Sequence, residues 1–178
     1  MEDIFIVCTD NLTGFSAAIG AVFPKTEIQN CIIHQLRNSS KYVSYKDIKE
    51  LMADLRSVYA AVDEPAALDA LDAFSTKWET KYPKISRSWR ENWANLSTYF
   101  KYPQEVRRLI YTTNSIEGFN RQLRKVTKTR SVFPTDDSLF KMLYLAMVDI
   151  TKKWTGRQRD WSMIHAQLSI YFAERMPE

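Results

Sequence analysis

The alternation of apolar and polar positions changes near residue 35, and the first part predicts a small parallel sheet. Residues 4–8 are a short β-branched and aromatic run that ends in the polar turn around Asp10, which predicts a buried strand. Apolar residues at helical spacing over residues 12–22 predict a helix, and residues 28–33 predict a second buried strand that runs into His34. A strand, a helix and a strand in this order indicate part of a parallel α/β sheet.

Apolar stripes with three- and four-residue spacing follow, and they predict a helical region. The stripes cover residues 48–59, 68–82 and 89–100, and they contain three of the five tryptophans. Tryptophan most often serves packing, so we expect a compact helical subdomain with its own aromatic core.

The remaining sequence predicts a loop and then three helices. Residues 107–114 are expected to be extended or loop-like, and a helix is expected to begin at Ser115 with Asn114 as its N-cap. Its expected buried face consists of Ile116, Phe119, Leu123 and Val126.

Two further amphipathic helices are predicted after Pro134. The first covers residues 139–154 and is capped by Thr135 or Asp136. The second covers residues 161–172, and its expected inward side chains are Trp161, Ile164, Leu168 and Tyr171.

Length and composition are those of a folded soluble protein. The chain has 178 residues, of which 45% are hydrophobic and 26% charged. No apolar run approaches the roughly 20 residues that span a bilayer, so we expect no membrane partner. No signal peptide is visible, and Cys8 and Cys31 cannot form a disulfide framework, so we expect a reducing cytoplasmic setting.

Basic charge is concentrated in one segment. Residues 101–130 contain eight Lys or Arg against Glu105 and Glu117, so this segment carries +6 whereas the whole chain carries +4. Such a concentration indicates a surface that meets phosphate, and a solvated helix face is the alternative.

Glu117 begins this basic segment's helix. Glu117, Arg121, Arg124 and Lys128 follow at helical spacing and share one face. A carboxylate at the head of a basic stripe suits a metal ligand beside a polyanion. The alternative is a capping box with a surface Glu–Arg pair.

Asp10, Cys31 and His34 are the other candidates for chemistry. Ligands of open α/β sheets bind beyond the carboxyl ends of the strands, and Asp10 is predicted to lie at such an end. The alternative is that Asp10 only forms the turn or caps the next helix. Zinc is improbable because the only other Cys and His, Cys8 and His165, are far away in the chain. A Cys–His nucleophilic pair is not supported, because residues at this spacing on a strand point to different sides. A histidine near an acidic metal site, acting on phosphate or packing the site, fits better.

Two long gapped patterns extend these observations. The first starts at Asp10 and ends at His34, with DNLTGF, VFPKT and QNCIIH as its fixed parts. The second is YTTNSIEGFNRQLRK, from Tyr111 to Lys125, followed by Phe133-Pro134. Together they resemble the mutator-type transposases of bacterial insertion sequences, and the resemblance covers essentially the whole chain.

The resemblance implies a catalytic site. Members of the family are RNase H-like, with a DDE acid triad that binds two Mg²⁺ (or Mn²⁺) ions. Asp10 matches the second acid and Glu117 the third, and Cys31 and His34 match a Cys-x-x-His element that shapes the site or steadies the scissile phosphate. The DNA backbone would be held by Arg121, Arg124, Lys125, Lys128 and Arg130.

The resemblance also implies the architecture. We expect a predominantly helical α/β fold, an incomplete RNase H-like core interrupted by an all-helical insertion. Residues 1–41 would supply strands and the second acid, residues 42–102 the insertion, and residues 103–178 the core helix with the third acid and the C-terminal helices. The first acid has no counterpart here, so the chain is expected to be the C-terminal portion of a transposase, inactive alone.

The expected function is therefore Mg²⁺-dependent strand cleavage and strand transfer in the intact enzyme. Its partners would be the DNA of transposon ends and either further copies of the chain or full-length transposase, in the bacterial cytoplasm at the nucleoid. An exposed sheet edge would favour such pairing. The alternative is a non-catalytic remnant that binds DNA or transposase and acts as an inhibitor. A helical interaction protein unrelated to DNA would require both patterns to be accidents.

Overall fold

The computed structural model describes residues 3–111, 114–129, 132–152, 154 and 160–176, without the side chains of Asn114 and Ser115. The chain forms two compact units. The first unit is Met1–Thr112 together with Met163–Glu178, and the second unit is Thr113–Ser162.

A parallel pair of strands opens the first unit, which confirms the predicted strand–helix–strand order. Strand β1 is Ile6–Thr9, helix α1 is Phe15–Val22 and strand β2 is Glu27–Asn30. The register aligns Ile6 with Glu27 and Thr9 with Asn30, so both strands end at the same edge.

The second strand ends earlier than its sequence predicts. Helix α2, Ile32–Ser40, begins directly after Cys31, so the prediction of a strand up to Ile33 was wrong. Ile32, Gln35, Leu36 and Ser39 are buried, which is helical periodicity. A short apolar run such as Ile32-Ile33 fits a buried helix as well as a strand, and only packing decides.

The predicted helical region is confirmed as helical, with different boundaries. It contains α3 (Tyr45–Tyr59), α4 (Glu64–Trp78), α5 (Pro83–Glu91), α6 (Trp93–Leu96) and a 3-10 turn (Thr98–Lys101). Pro83 begins α5 rather than closing a helix, because a proline at the first helical position loses no hydrogen bond. The third stripe is three short elements instead of one helix.

The core of the first unit is aromatic and aliphatic. Its deeply buried side chains from the helices include Leu51, Leu55, Val58, Leu71, Phe74, Ile85 and Trp89. The indole of Trp89 donates a 3.0 Å hydrogen bond to Ser39 Oγ, and that of Trp78 donates to Asp54. Both tryptophans are thus packing residues, as expected.

Residues 107–110, predicted to be extended or loop-like, belong instead to helix α7, Gln104–Ile110, whereas residues 112 and 113 of that predicted stretch lie outside the described residues. Val106 and Ile110, four residues apart, are both buried, so one face of this short helix closes the core. The guanidinium of Arg107 donates to the carbonyls of Tyr102, Phe100 and Val62 and thereby fixes the preceding chain.

The C-terminal part returns to the first unit. Helix α10 is Trp161–Tyr171, and the Phe172 ring after it stacks on Phe5 with centroids 4.8 Å apart. Ile164 is buried as predicted, whereas Trp161 and Tyr171 are about half exposed, so their inward placement was wrong.

The second unit contains helices α8 (Asn114–Thr127) and α9 (Asp136–Thr151). Thr135 caps α9 in a capping box with Ser138, which confirms Thr135 as the cap. Ile116 and Val126 are exposed, so their predicted burial was wrong. Exposed apolar side chains on α9 are Phe140, Tyr144, Leu145 and Met147. A pair of helices has too few partners to bury every apolar position.

Candidate functional site

Asp10 lies directly after β1, at the edge where both strands end. Its carbonyl accepts a 2.7 Å hydrogen bond from Leu12 N, which makes the tight turn into α1. The backbone of Cys31 donates to Thr9 O at 2.8 Å and so holds the end of β2 against the end of β1. The Asp10 side chain is 60% exposed. The sheet therefore presents a solvent-accessible carboxylate at its carboxyl edge.

A buried asparagine holds the chain on both sides of Asp10. Asn30, 2% exposed, accepts from Thr9 Oγ1 and donates to Asn11 Oδ1, each at 3.3 Å. Sequence reasoning missed this residue. Its signal was a pair of neighbouring amide side chains, Gln29 and Asn30, in a segment predicted to be a buried strand, where each buried amide needs partners.

His34 is brought to Asp10. Its Nδ1 lies 2.9 Å from Asp10 Oδ1, and its side chain is 24% exposed. This close approach is attractive when the imidazole is protonated. Cys31 precedes α2 and His34 lies in its first turn, so the objection that the two point to different sides of a strand does not apply.

The two cysteine thiols are packing groups at this edge. Cys31 is 1% exposed. Burial raises the pKa of the Cys8 thiol to about 11, and its Sγ donates to Ile110 O at 2.9 Å. A buried thiol shapes a site better than it attacks a substrate.

Glu117 and the basic residues lie on α8 in the second unit. Glu117 is partly buried in the first turn, and Arg121, Arg124, Lys125 and Lys128 are exposed. We call these four basic residues the α8 stripe. Arg130 lies outside the described residues. Because Asp10 belongs to the first unit, its approach to Glu117 stays a prediction.

The donors available to a divalent metal are few in the described residues. Over residues 3–111, 114–129, 132–152, 154 and 160–176, no group of three His, Cys, Asp or Glu residues could hold a metal ion. Asp10 with His34 supplies one carboxylate and one imidazole, which is part of a coordination sphere and not a complete one.

No helix among the same residues is long and apolar enough to cross a membrane.

Known proteins with similar sequences are transposases. A probable transposase for an ISRM3-like insertion sequence element in Sinorhizobium fredii is 45% identical over 175 residues, 98% of this chain and 44% of that protein. The transposase for insertion sequence element ISRM3 in Rhizobium meliloti is 43% identical over 175 residues, again 98% and 44%. A probable insertion-sequence transposase of Corynebacterium diphtheriae is 41% identical over 154 residues, 86% of this chain and 45% of that protein.

The chain thus spans less than half the length of these relatives. The family model described as transposase, Mutator family, matches residues 1–157, which include both sequence patterns, the edge with Asp10 and His34, and the helix with Glu117. With most of its length matched, this chain belongs to the Mutator family of transposases.

Proposed function

We propose that this chain takes part in DNA transposition, with the DNA of transposon ends as substrate. The observation that carries the proposal is the exposed Asp10 carboxylate at the carboxyl edge of the sheet, 2.9 Å from His34. An acid at this edge is well placed for a ligand, and the family match covers both residues.

We assign Asp10 and Glu117 as two carboxylate ligands of a catalytic Mg²⁺ or Mn²⁺ site in an RNase H-like core. Such an ion, when bound, supplies electrophilic activation of a phosphodiester for strand cleavage and strand transfer. His34 lies beside the Asp10 carboxylate, where it would shape the site or steady the scissile phosphate. Cys31 is buried between β2 and α2, where it would help to shape the site.

The α8 stripe would hold the DNA backbone. Arg121, Arg124, Lys125 and Lys128 are exposed cations on one helix, and Arg130 extends the set in sequence. Phosphate contacts of this kind fix position and register without reading sequence. Such contacts would make DNA binding weaken steeply as the salt concentration rises.

The proposed organisation assigns residues 1–41 and 103–178 to the core and residues 42–102 to a helical insertion. Helices α3 to α6 lie in this stretch, and their buried side chains share one hydrophobic cluster with residues of α2, α7 and α10. We further propose that the protein acts at the nucleoid in the cytoplasm and pairs with copies of itself or with longer transposase chains.

A second candidate is a non-catalytic function, in which the chain binds DNA or transposase and inhibits transposition. The observation that favours it is the incomplete donor set, since the described residues offer no cluster of three metal ligands. In this case Asp10 and Glu117 would remain without a role in cleavage by the isolated chain.

Cleavage of supercoiled plasmid that carries insertion-sequence ends distinguishes the two candidates. The chain is incubated with Mg²⁺ or Mn²⁺, alongside Asp10→Asn, Glu117→Gln and the surface control Glu91→Gln. Metal-dependent nicking lost in the first two variants and kept in the third supports catalysis. DNA binding without nicking supports the inhibitor, and absence of both contradicts a role in transposition.

A further inference from the structure

A pocket of about 470 Å³ lies between α8 and α9 in the second unit. Its volume falls within the range of sites that bind small molecules or single chemical groups. The described lining comes only from this unit: Gln122, Lys125, Val126, Ala146, Asp149, Ile150, Lys152 and Trp154.

The lining combines an apolar surface, one aromatic ring and charged groups. Val126, Ala146 and Ile150 supply apolar atoms, and Trp154 remains 61% exposed although its ring lies 5.7 Å from that of Phe119. A large indole that stays exposed beside a pocket offers a flat stacking surface.

The polar groups of the lining suit a heterocycle attached to a phosphate. Two cations line the pocket, Lys125 and Lys152. Lys152 pairs with Asp149 at 3.0 Å, whereas the described contacts include no ion pair for Lys125. The Gln122 amide carries both donors and an acceptor, and the Asp149 carboxylate accepts from exocyclic amines, as such groups do at base edges.

We propose that this pocket binds one unpaired nucleobase of a single-stranded DNA segment, stacked on Trp154. The inference rests on the proposed DNA substrate, because Lys125 belongs both to the α8 stripe and to the lining. A strand whose phosphates follow the α8 stripe passes the pocket, and its unpaired bases can enter it. Aromatic stacking and a cationic groove together are the usual means of binding single strands. An apolar peptide would instead bury the Lys125 ammonium without a negative partner.

The test compares two oligonucleotides with the same phosphates. One is an oligothymidine, and the other is its fully abasic counterpart, so only the presence of the bases distinguishes them. The full chain is expected to prefer the thymidine strand by about 5- to 150-fold, the range that stacking on one aromatic side chain contributes. Trp154→Ala abolishes the preference, Trp154→Phe retains most of it, and Lys125→Ala weakens both strands equally. Circular dichroism verifies that each variant is folded.

The outcomes are distinct for the pocket and for the proposed function. Loss of the preference in Trp154→Ala, with duplex binding unchanged, supports the pocket. If Trp154→Ala keeps the preference, the proposed base-binding role of the pocket is wrong. The same holds if the unmodified chain binds duplex DNA but shows no preference for the thymidine strand. Both results leave the proposed DNA substrate intact. If the folded chain binds neither duplex nor single-stranded DNA, the pocket assignment and the proposed DNA substrate are both wrong. If the chain binds an apolar peptide and Trp154→Ala removes that binding, the pocket is a peptide site.

Discussion

Gln29 joins the sheet to the helical region, and its replacement by leucine should destabilise the first unit. Its side chain is fully buried on β2. The amide nitrogen donates to Asn30 O at 2.8 Å and to Leu96 O at 3.0 Å, and the amide oxygen accepts from Tyr99 N at 2.7 Å. One side chain thereby satisfies three backbone groups that are out of reach of water.

The expected cost follows from these three bonds. Leucine has a similar size but leaves the Tyr99 N–H and two carbonyls without this partner. The buried donor costs about 1–3 kcal/mol and the carbonyls about 1 kcal/mol each, while the added apolar surface returns about 1 kcal/mol. The net loss in free energy of unfolding is therefore about 3 kcal/mol.

Urea unfolding followed by tryptophan fluorescence measures this loss. Gln104→Leu, at an exposed position that begins α7, is the matched control and should change stability by less than about 0.5 kcal/mol. A loss below about 1 kcal/mol in Gln29→Leu would show that the three hydrogen bonds are dispensable.

A glutamate at position 29 adds a pH test of the same contacts. Gln29→Glu keeps an acceptor for Tyr99 N but places a buried carboxylate against two carbonyls, which raises its folded pKa. Its stability should therefore fall as the pH rises above about 4.3, whereas the unmodified chain should lack this extra slope.

Three further predictions concern other parts of the molecule. Burial raises the pKa of the Cys8 thiol to about 11. Iodoacetamide at about pH 8 should therefore label Cys8 far more slowly in the folded chain than in urea, and equal labelling rates would contradict its burial. Arg124→Ala should weaken duplex DNA binding and reduce the slope of log K against log salt by about 1, and an unchanged slope would remove Arg124 from the phosphate contacts. A hydrogen bond from Lys81 lowers the pKa of Asp47, so this carboxylate contributes stability above its unfolded pKa of about 4, and that stability is lost as the pH falls. Asp47→Asn should therefore reduce the loss of unfolding free energy at acidic pH. An unaltered loss would argue against the contact.

Local patterns carried much of the fold. The β-branched run before Asp10 and the helical spacing after it specify a strand, a turn and a helix without reference to the rest of the chain. The end of β2 was not predictable in this way, since the apolar run at Ile32 suits a buried strand or a buried helix. The prediction of a buried face on α8 was wrong for a related reason. Ile116 and Val126 have helical spacing, but the second unit has too few neighbouring side chains to cover them.

The candidate site was predictable in residue identity and not in contacts. Spacing and resemblance singled out Asp10 and His34, and their 2.9 Å contact arises from α2 turning back at Cys31, which the sequence pattern had placed on a strand. Asn30 was missed because its two partners, Thr9 and Asn11, come from the neighbouring strand and turn. Pairing across a sheet is set by register, which no single segment encodes.

The assignment of Asp10 and Glu117 to one metal site is tested most directly by Mn²⁺ binding to this chain. Isothermal titration calorimetry is carried out on the unmodified chain, on Asp10→Ala and Glu117→Ala, and on Glu91→Ala as a control, with circular dichroism to verify folding. If the two carboxylates share one site, the unmodified chain binds Mn²⁺ at a defined site, both carboxylate variants lose this binding, and the Glu91→Ala control keeps it. Absence of binding by the folded chain, or binding that survives loss of either carboxylate, would contradict the shared site.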